Sequence, residues 1–145
     1  MTEVFFYHLE RSEPQEVLPS LLEKTLARGW RALVKLPDAE AVGILDEALW
    51  TYRDESFLPH GSSGADEPIL LTTDDDAVNG AQAVFLTPGT TMTPDAMRAF
   101  ERCVLLFLPD GADGARAQWR ILKDEGFVVT YWKQTLEGRW EKAAG

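Results

Sequence analysis

The stretch EVFFYHLERSEPQEVLPSLLEKTLARGWRALVKL, residues 3–36, decides the fold. Residues 3–9 are a short apolar run rich in aromatics and read as a buried strand. Ser12 and Pro14 then open a helix, since proline suits a first turn whose N–H groups have no intrahelical partner. Val17, Leu21, Leu22 and Leu26 supply its apolar stripe. Pro19 fits only within the first turn, which moves the expected start toward residues 15–19. Gly29 ends the helix, and residues 32–36 form a second apolar run. Strand, helix and strand in this order make a right-handed crossover unit, which requires parallel strands.

The rest of the chain repeats the alternation. Pro37 and Asp38 cap a helix reaching to about residue 52, and residues 69–72 and 83–86 are short strands. Asp74, Asp75 and Asp76 between them read as a solvated turn: no second cluster has ligand spacing, so no metal site is expected. Thr93, Pro94 and Asp95 start a helix with Met97 and Phe100 inward. Residues 102–108 are the most apolar strand and are expected at the sheet centre. Residues 109–114 are a loop or a helix start. A last helix spans 115–125 and stops at Gly126, and a strand covers 127–132. Residues 134–145 are a polar tail holding Trp140, read as a short turn or an extra strand, with Trp140 over a sheet edge or over the last helix. The expected fold is a single-domain, three-layer α/β sandwich over residues 1–145 with a mostly parallel sheet and Rossmann-like topology. Fold alone does not give function.

Composition narrows the classes. The chain has 145 residues, 45% hydrophobic and 26% charged, as expected of a globular domain. No apolar run is long enough to span a membrane, and no basic-then-apolar leader pattern opens the sequence. The single cysteine, Cys103, lies in an apolar strand and reads as a buried small hydrophobe, and the cytoplasm is the simplest compartment. A net charge of −10 argues against the chain as a whole binding nucleic acid.

Catalytic patterns are lacking. The first strand leads into Leu9-Glu10-Arg11-Ser12-Glu13 rather than GxGxxG, and there is no Walker, GxSxG or CxxC pattern. His8 ends a buried strand and reads as a packed or capping histidine. No carboxylate and nucleophile are seen to converge on it or on His60. A non-enzyme without cofactors is expected.

Two stretches remain. In LDEALWTYRDESFLPH, residues 45–60, Leu45, Leu49 and Tyr52 continue the stripe begun at Val42, while Trp50 falls at its edge. Trp50 and Phe57 therefore flank a helix exit, as a core corner, the commoner arrangement, or as an aromatic knob on the surface. In the last helix Arg116, Arg120 and Lys123 share one face, with Trp119 between the arginines in projection. That is an ordinary solvated face or a pocket for an acidic peptide, since a guanidinium presents a planar fork to a carboxylate and an indole an apolar wall.

The pieces LDEALW and ESFLPH, through Leu45, Asp46, Leu49, Trp50, Phe57, Pro59 and His60, resemble the signature of the chi subunit of bacterial DNA polymerase III holoenzyme. The FYHL of residues 6–9, the length and the late helix running into Gly126-Phe127 are similar too. The resemblance implies a non-catalytic adaptor joining single-stranded-DNA-binding protein to the clamp loader. It implies that the acidic C-terminal tail of that protein is held by Arg116, Trp119 and Arg120, with Lys123 one turn on and Leu108 as apolar neighbour. Trp119 stands where the family has tyrosine, and Ala112 where it has a base, for which Lys133 is a possible substitute. Trp50, Phe57, Pro59 and His60 would meet the psi subunit, on a surface resembling one that also receives a helicase-like repair partner. DNA would be reached only indirectly. The competing readings are a small nucleotide-dependent enzyme, opposed by the missing glycine loop, and direct single-stranded DNA binding through the basic helix face, opposed by the net charge and a stripe of only about three cations.

Overall fold

The computed structural model describes residues 2–10, 12–51, 59–62, 66–75, 78–134 and 139–144. In chain order its elements are β1 (Glu3–His8), α1 (Pro14–Ala27), β2 (Ala32–Lys35), α2 (Ala39–Trp50), β3 (His60–Gly61), β4 (Ile69–Thr72), β5 (Ala83–Leu86), α3 (Pro94–Met97), β6 (Arg102–Phe107), a 3₁₀ turn (Pro109–Gly111), α4 (Ala112–Asp124), β7 (Val128–Gln134) and β8 (Trp140–Ala144).

The strands form one sheet in the order β3-β4-β2-β5-β6-β1-β7-β8. All neighbours are parallel except the last pair, where β8 runs antiparallel to β7. β5 and β6 hold the centre, where the most apolar strand was expected, and every residue of β5 is buried.

Alternation along each strand sends neighbouring side chains to opposite faces. On one face Val34, Leu71, Phe85, Val104 and Leu106 meet Leu18 and Leu22 of α1 and Leu45 and Leu49 of α2. On the other Val4, Phe6, Leu33, Val84 and Cys103 meet Met97 of α3 and Leu122 of α4. This is the expected three-layer sandwich. β1 and β6 are neighbours, yet β1 leads to α1 on one face and β6 to α4 on the other.

Local chemistry sets the helix ends. Glu13 and Glu16 form a reciprocal capping box, with Glu16 Oε1 accepting from the Glu13 N–H at 2.7 Å. The helix therefore starts at Pro14, and Pro19 sits inside it, buried, rather than in its first turn. Asp38 caps α2 by accepting from the Ala41 N–H at 2.8 Å. Gly126, at φ 90°, turns the chain out of α4. α4 begins at Ala112, three residues before its expected start, because the 3₁₀ turn feeds directly into it.

In the tail, Trp140–Ala144 form a strand. Gln134 at the end of β7 is buried, accepting from the Glu10 N–H at 3.2 Å and donating to Ser12 Oγ at 3.1 Å. Trp140 of β8 meets Tyr7 edge-on at 4.8 Å and packs on the α1–α2 side, so it does not cover the α4 surface. Asp74 and Asp75 are exposed, and Asp75 pairs with Lys35. Among the described residues no three metal-binding side chains cluster, and no helix is long and apolar enough to cross a membrane.

Candidate functional site

The first surface is the outer flank of α4. Leu122 faces fully inward, and Trp119 turns inward beside it rather than lying between the arginines. The indole meets Phe6 at 5.6 Å and Tyr131 at 6.1 Å, both edge-on. Arg116, Arg120 and Lys123 are exposed beyond it. Arg116 Nη1 lies 2.9 Å from Asp113 Oδ1, an exposed i,i+3 pair. Lys123 Nζ sits 5.4 Å from the centre of the Trp119 ring. Arg120 has no ion pair among the described residues. The surface is thus a half-buried indole fixed by the core, with three cations along its outer edge.

Strand β7 adds to it. Tyr131 shares the α4-facing side with buried Val129, and its hydroxyl lies 3.0 Å from His8 Nδ1. The His8 ring stacks on Phe107 at 4.7 Å, and its Nε2 is buried with no hydrogen-bond partner among the described residues. Burial pushes the His8 pKa down, and the charges of Lys133 and Arg116 push the same way against Glu10, whose Oε1 is 3.7 Å from Nδ1. The imidazole is therefore neutral at neutral pH. Burial and Glu10 raise the Tyr131 pKa. Arg116 and Lys133 approach this pair from a helix and a strand, which places Lys133 at the same surface. Sequence reasoning missed Tyr131 and the His8 contact. Their signal is faint, an alternation of Val129, Tyr131 and Lys133 that gains meaning only once β1 is known to lie beside β7.

Leu108 is not brought into this group. It is half-buried at the strand ends and lines two clefts, of about 240 Å³ and 320 Å³, that also share Thr87 and Pro88. The α4 residues lining the larger one are Gly114, Ala115 and Gln118, on the opposite flank from the cations.

The second surface joins the two halves of the 45–60 stretch. Trp50, the last residue of α2, is 55% exposed, so it belongs to the surface and not to a core corner. Its ring lies 4.5 Å from that of His60. His60 is buried in β3, with Nε2 3.1 Å from Asp46 Oδ1 on α2. Pro59 is half-buried beside it, and Phe57 lies outside the described residues. His60 thus ties the strand to the helix and supports the indole from below. Ile44, six residues back along α2, is also 52% exposed. An exposed indole on a rigid base has the form of an interface anchor.

The single cysteine lies away from both surfaces. Cys103 is buried against the Met97 carbonyl, and burial lifts its thiol to about 12, far from the thiolate form that reacts.

These features define an α/β protein whose distinctive residues lie on outer surfaces rather than in a phosphate-binding crevice. The family described as DNA polymerase III chi subunit, HolC, matches residues 1–130, and the chain belongs to that family. It is 27% identical over 136 residues to the DNA polymerase III subunit chi of Pseudomonas aeruginosa, covering 89% of this chain and 94% of that protein. It is 23% identical over 115 residues to the probable DNA polymerase III subunit chi of Rickettsia prowazekii, covering 73% of this chain and 70% of that one.

Proposed function

We propose that this chain is a non-catalytic, cytoplasmic adaptor of the replicase. It joins the acidic C-terminal tail of single-stranded-DNA-binding protein, held on the α4 surface, to a clamp-loader partner of the psi type, held on the Trp50–His60 surface. The observation that carries the reading is the cationic edge of α4 around a fixed indole, in a chain of net charge −10. A tail peptide offers carboxylates to Arg116, Arg120 and Lys123 and an apolar end to Trp119. The Asp113 pair is no obstacle, since exposed ion pairs contribute at most about 1 kcal/mol and yield to a better partner. The charges are solvent-exposed, so binding weakens with salt.

The test is calorimetric titration with a tail peptide at low and moderate salt. Arg120→Ala is expected to lower affinity about tenfold, or ~1.4 kcal/mol. Affinity equal to that of the unmodified chain would remove the α4 assignment and leave the Trp50–His60 surface as the supported half of the adaptor.

A further inference from the structure

Helices cover the sheet unequally. On the α1–α2 side the layer ends over β1, and no described helix lies beyond it. The sheet continues for two more strands, β7 and β8. Rings fill the uncovered ground. Phe5 and Tyr7 of β1 lie beside Trp132 of β7, with centroids 6.3 Å and 6.2 Å away, and Trp140 of β8 stands edge-on to Tyr7. All four are only partly buried. Toward the other end of β1 the row continues through cations. The Arg102 guanidinium lies 4.6 Å from the Phe5 ring and 5.2 Å from Trp30, and Arg28 lies 4.2 Å from Trp30.

Charge around these rings, as on α4, runs against the net charge of the molecule. Arg102 is neutralised by Glu3 at 2.9 Å. Lys24 and Arg28 border a cleft of about 100 Å³ beside Phe5 and Tyr7, and both are exposed. Lys142, paired with Trp132 across β7 and β8, is exposed on the same face. Lys24, Arg28 and Lys142 have no ion pair among the described residues. A chain with ten more negative than positive charges therefore places around one aromatic platform three cations that have no ion pair among the described residues.

We propose that this face of β1, β7 and β8 binds single-stranded nucleic acid, with bases stacked on Tyr7, Trp132 and Trp140 and phosphates against Lys24, Arg28 and Lys142. Rings on adjacent strands of an open sheet face are a general means of holding unpaired bases, because every base has a flat face. Three cations are no more than the α4 face offers; what this face adds is the row of rings, so stacking carries the binding and the cations only align the phosphate chain. An acidic peptide would use the cations but has no repeating ring to occupy the platform. The site is on the opposite side of the sheet from α4 and is independent of the tail reading. Three phosphate contacts imply a salt slope of about −2 for a single strand, so affinity falls roughly 20-fold between about 50 and 200 mM salt.

The experiment is fluorescence anisotropy with the full chain and a labelled oligothymidylate of about 16 nucleotides. Saturable binding at low salt with that slope is expected. The Lys24→Ala/Arg28→Ala double variant removes two exposed cations without touching the core, and should reduce the slope by about 1.4. Trp132→Ala should weaken binding at least fivefold while a thermal melt confirms folding. Arg120→Ala on α4 should change nothing. Absence of binding at low salt overturns the proposal, and so does binding lost in Arg120→Ala but kept in the double variant. If an acidic peptide binds and the double variant weakens it while oligothymidylate does not bind, the face serves a protein partner and the proposal falls.

Discussion

Trp119 and Trp50 stand at the two candidate surfaces and are held in opposite ways. Trp119 is wedged against Phe6 and Tyr131, over a core that includes fully buried Leu122. Trp50 meets the ring of His60 at 4.5 Å and leaves 55% of its surface in water. The first belongs to the fold as much as to the surface, since its position follows from how α4 packs on β1 and β7. The second hangs on a local brace, the contact of His60 with Asp46 across β3 and α2. A tryptophan in the core cannot be removed without unfolding cost, whereas one on a brace is dispensable to the monomer.

The largest expected effect follows. Trp119→Ala should destabilise the chain by about 3 kcal/mol, the low end for emptying a large aromatic site because this one is only partly buried. Urea unfolding measures it, through a lower midpoint at an unchanged slope. A loss well under 1 kcal/mol would erase the distinction between the two residues. Trp50→Ala is the converse: a stability change within about 0.5 kcal/mol, with loss of co-purification of a psi-type partner and tail-peptide affinity intact. If tail binding and the unfolding midpoint drop together with the partner, Trp50 is a packing residue and its exposure has no functional meaning.

The same contrast explains what was legible in the sequence. Apolar periodicity located α1, α2 and the central strands because their buried stripes are continuous, as in Leu45 and Leu49 or the wholly buried β5. β3 escaped it. Two residues are too few for alternation, and His60–Gly61 is a strand only because Ile69 and Leu70 pair with it. The start of α4 read as either a loop or a helix start because Ala112, Asp113 and Gly114 carry turn composition, and the structure takes the second alternative. Pro19 was a conflict between local and tertiary forces, and the buried stripe with the Glu13–Glu16 box prevailed. For the sites, spacing alone located the α4 cations, which lie on one helix. The His8–Tyr131 contact spans 123 positions and depends on strand order, which no local pattern encodes. Periodicity put Trp50 at the stripe's edge but left open which side of that edge it took, since this depends on where the chain returns at His60.

The smallest effect probes the support of the Trp119 surface. His8 packs on Phe107 and touches Tyr131, which in turn meets Trp119. Burial, with Lys133 and Arg116, holds its pKa below the ordinary 6.5, so the folded chain resists the proton that the unfolded chain accepts. As pH falls below about 6.5 the unfolded state binds it first, and stability declines until the lower folded pKa has been passed. Above that window both states are neutral and the group adds no slope. His8→Phe keeps a ring against Phe107 and removes the titration. The variant should therefore lose less stability than the unmodified chain between about pH 7.5 and 5.5, by a few tenths of a kcal/mol or more. Urea unfolding at the two pH values reads the difference. Equal losses in both proteins would mean that Glu10, 3.7 Å from Nδ1, offsets the burial. The ring beneath Tyr131 would then titrate as freely as an exposed histidine, and the Trp119 surface would rest on a less apolar foundation than the geometry indicates.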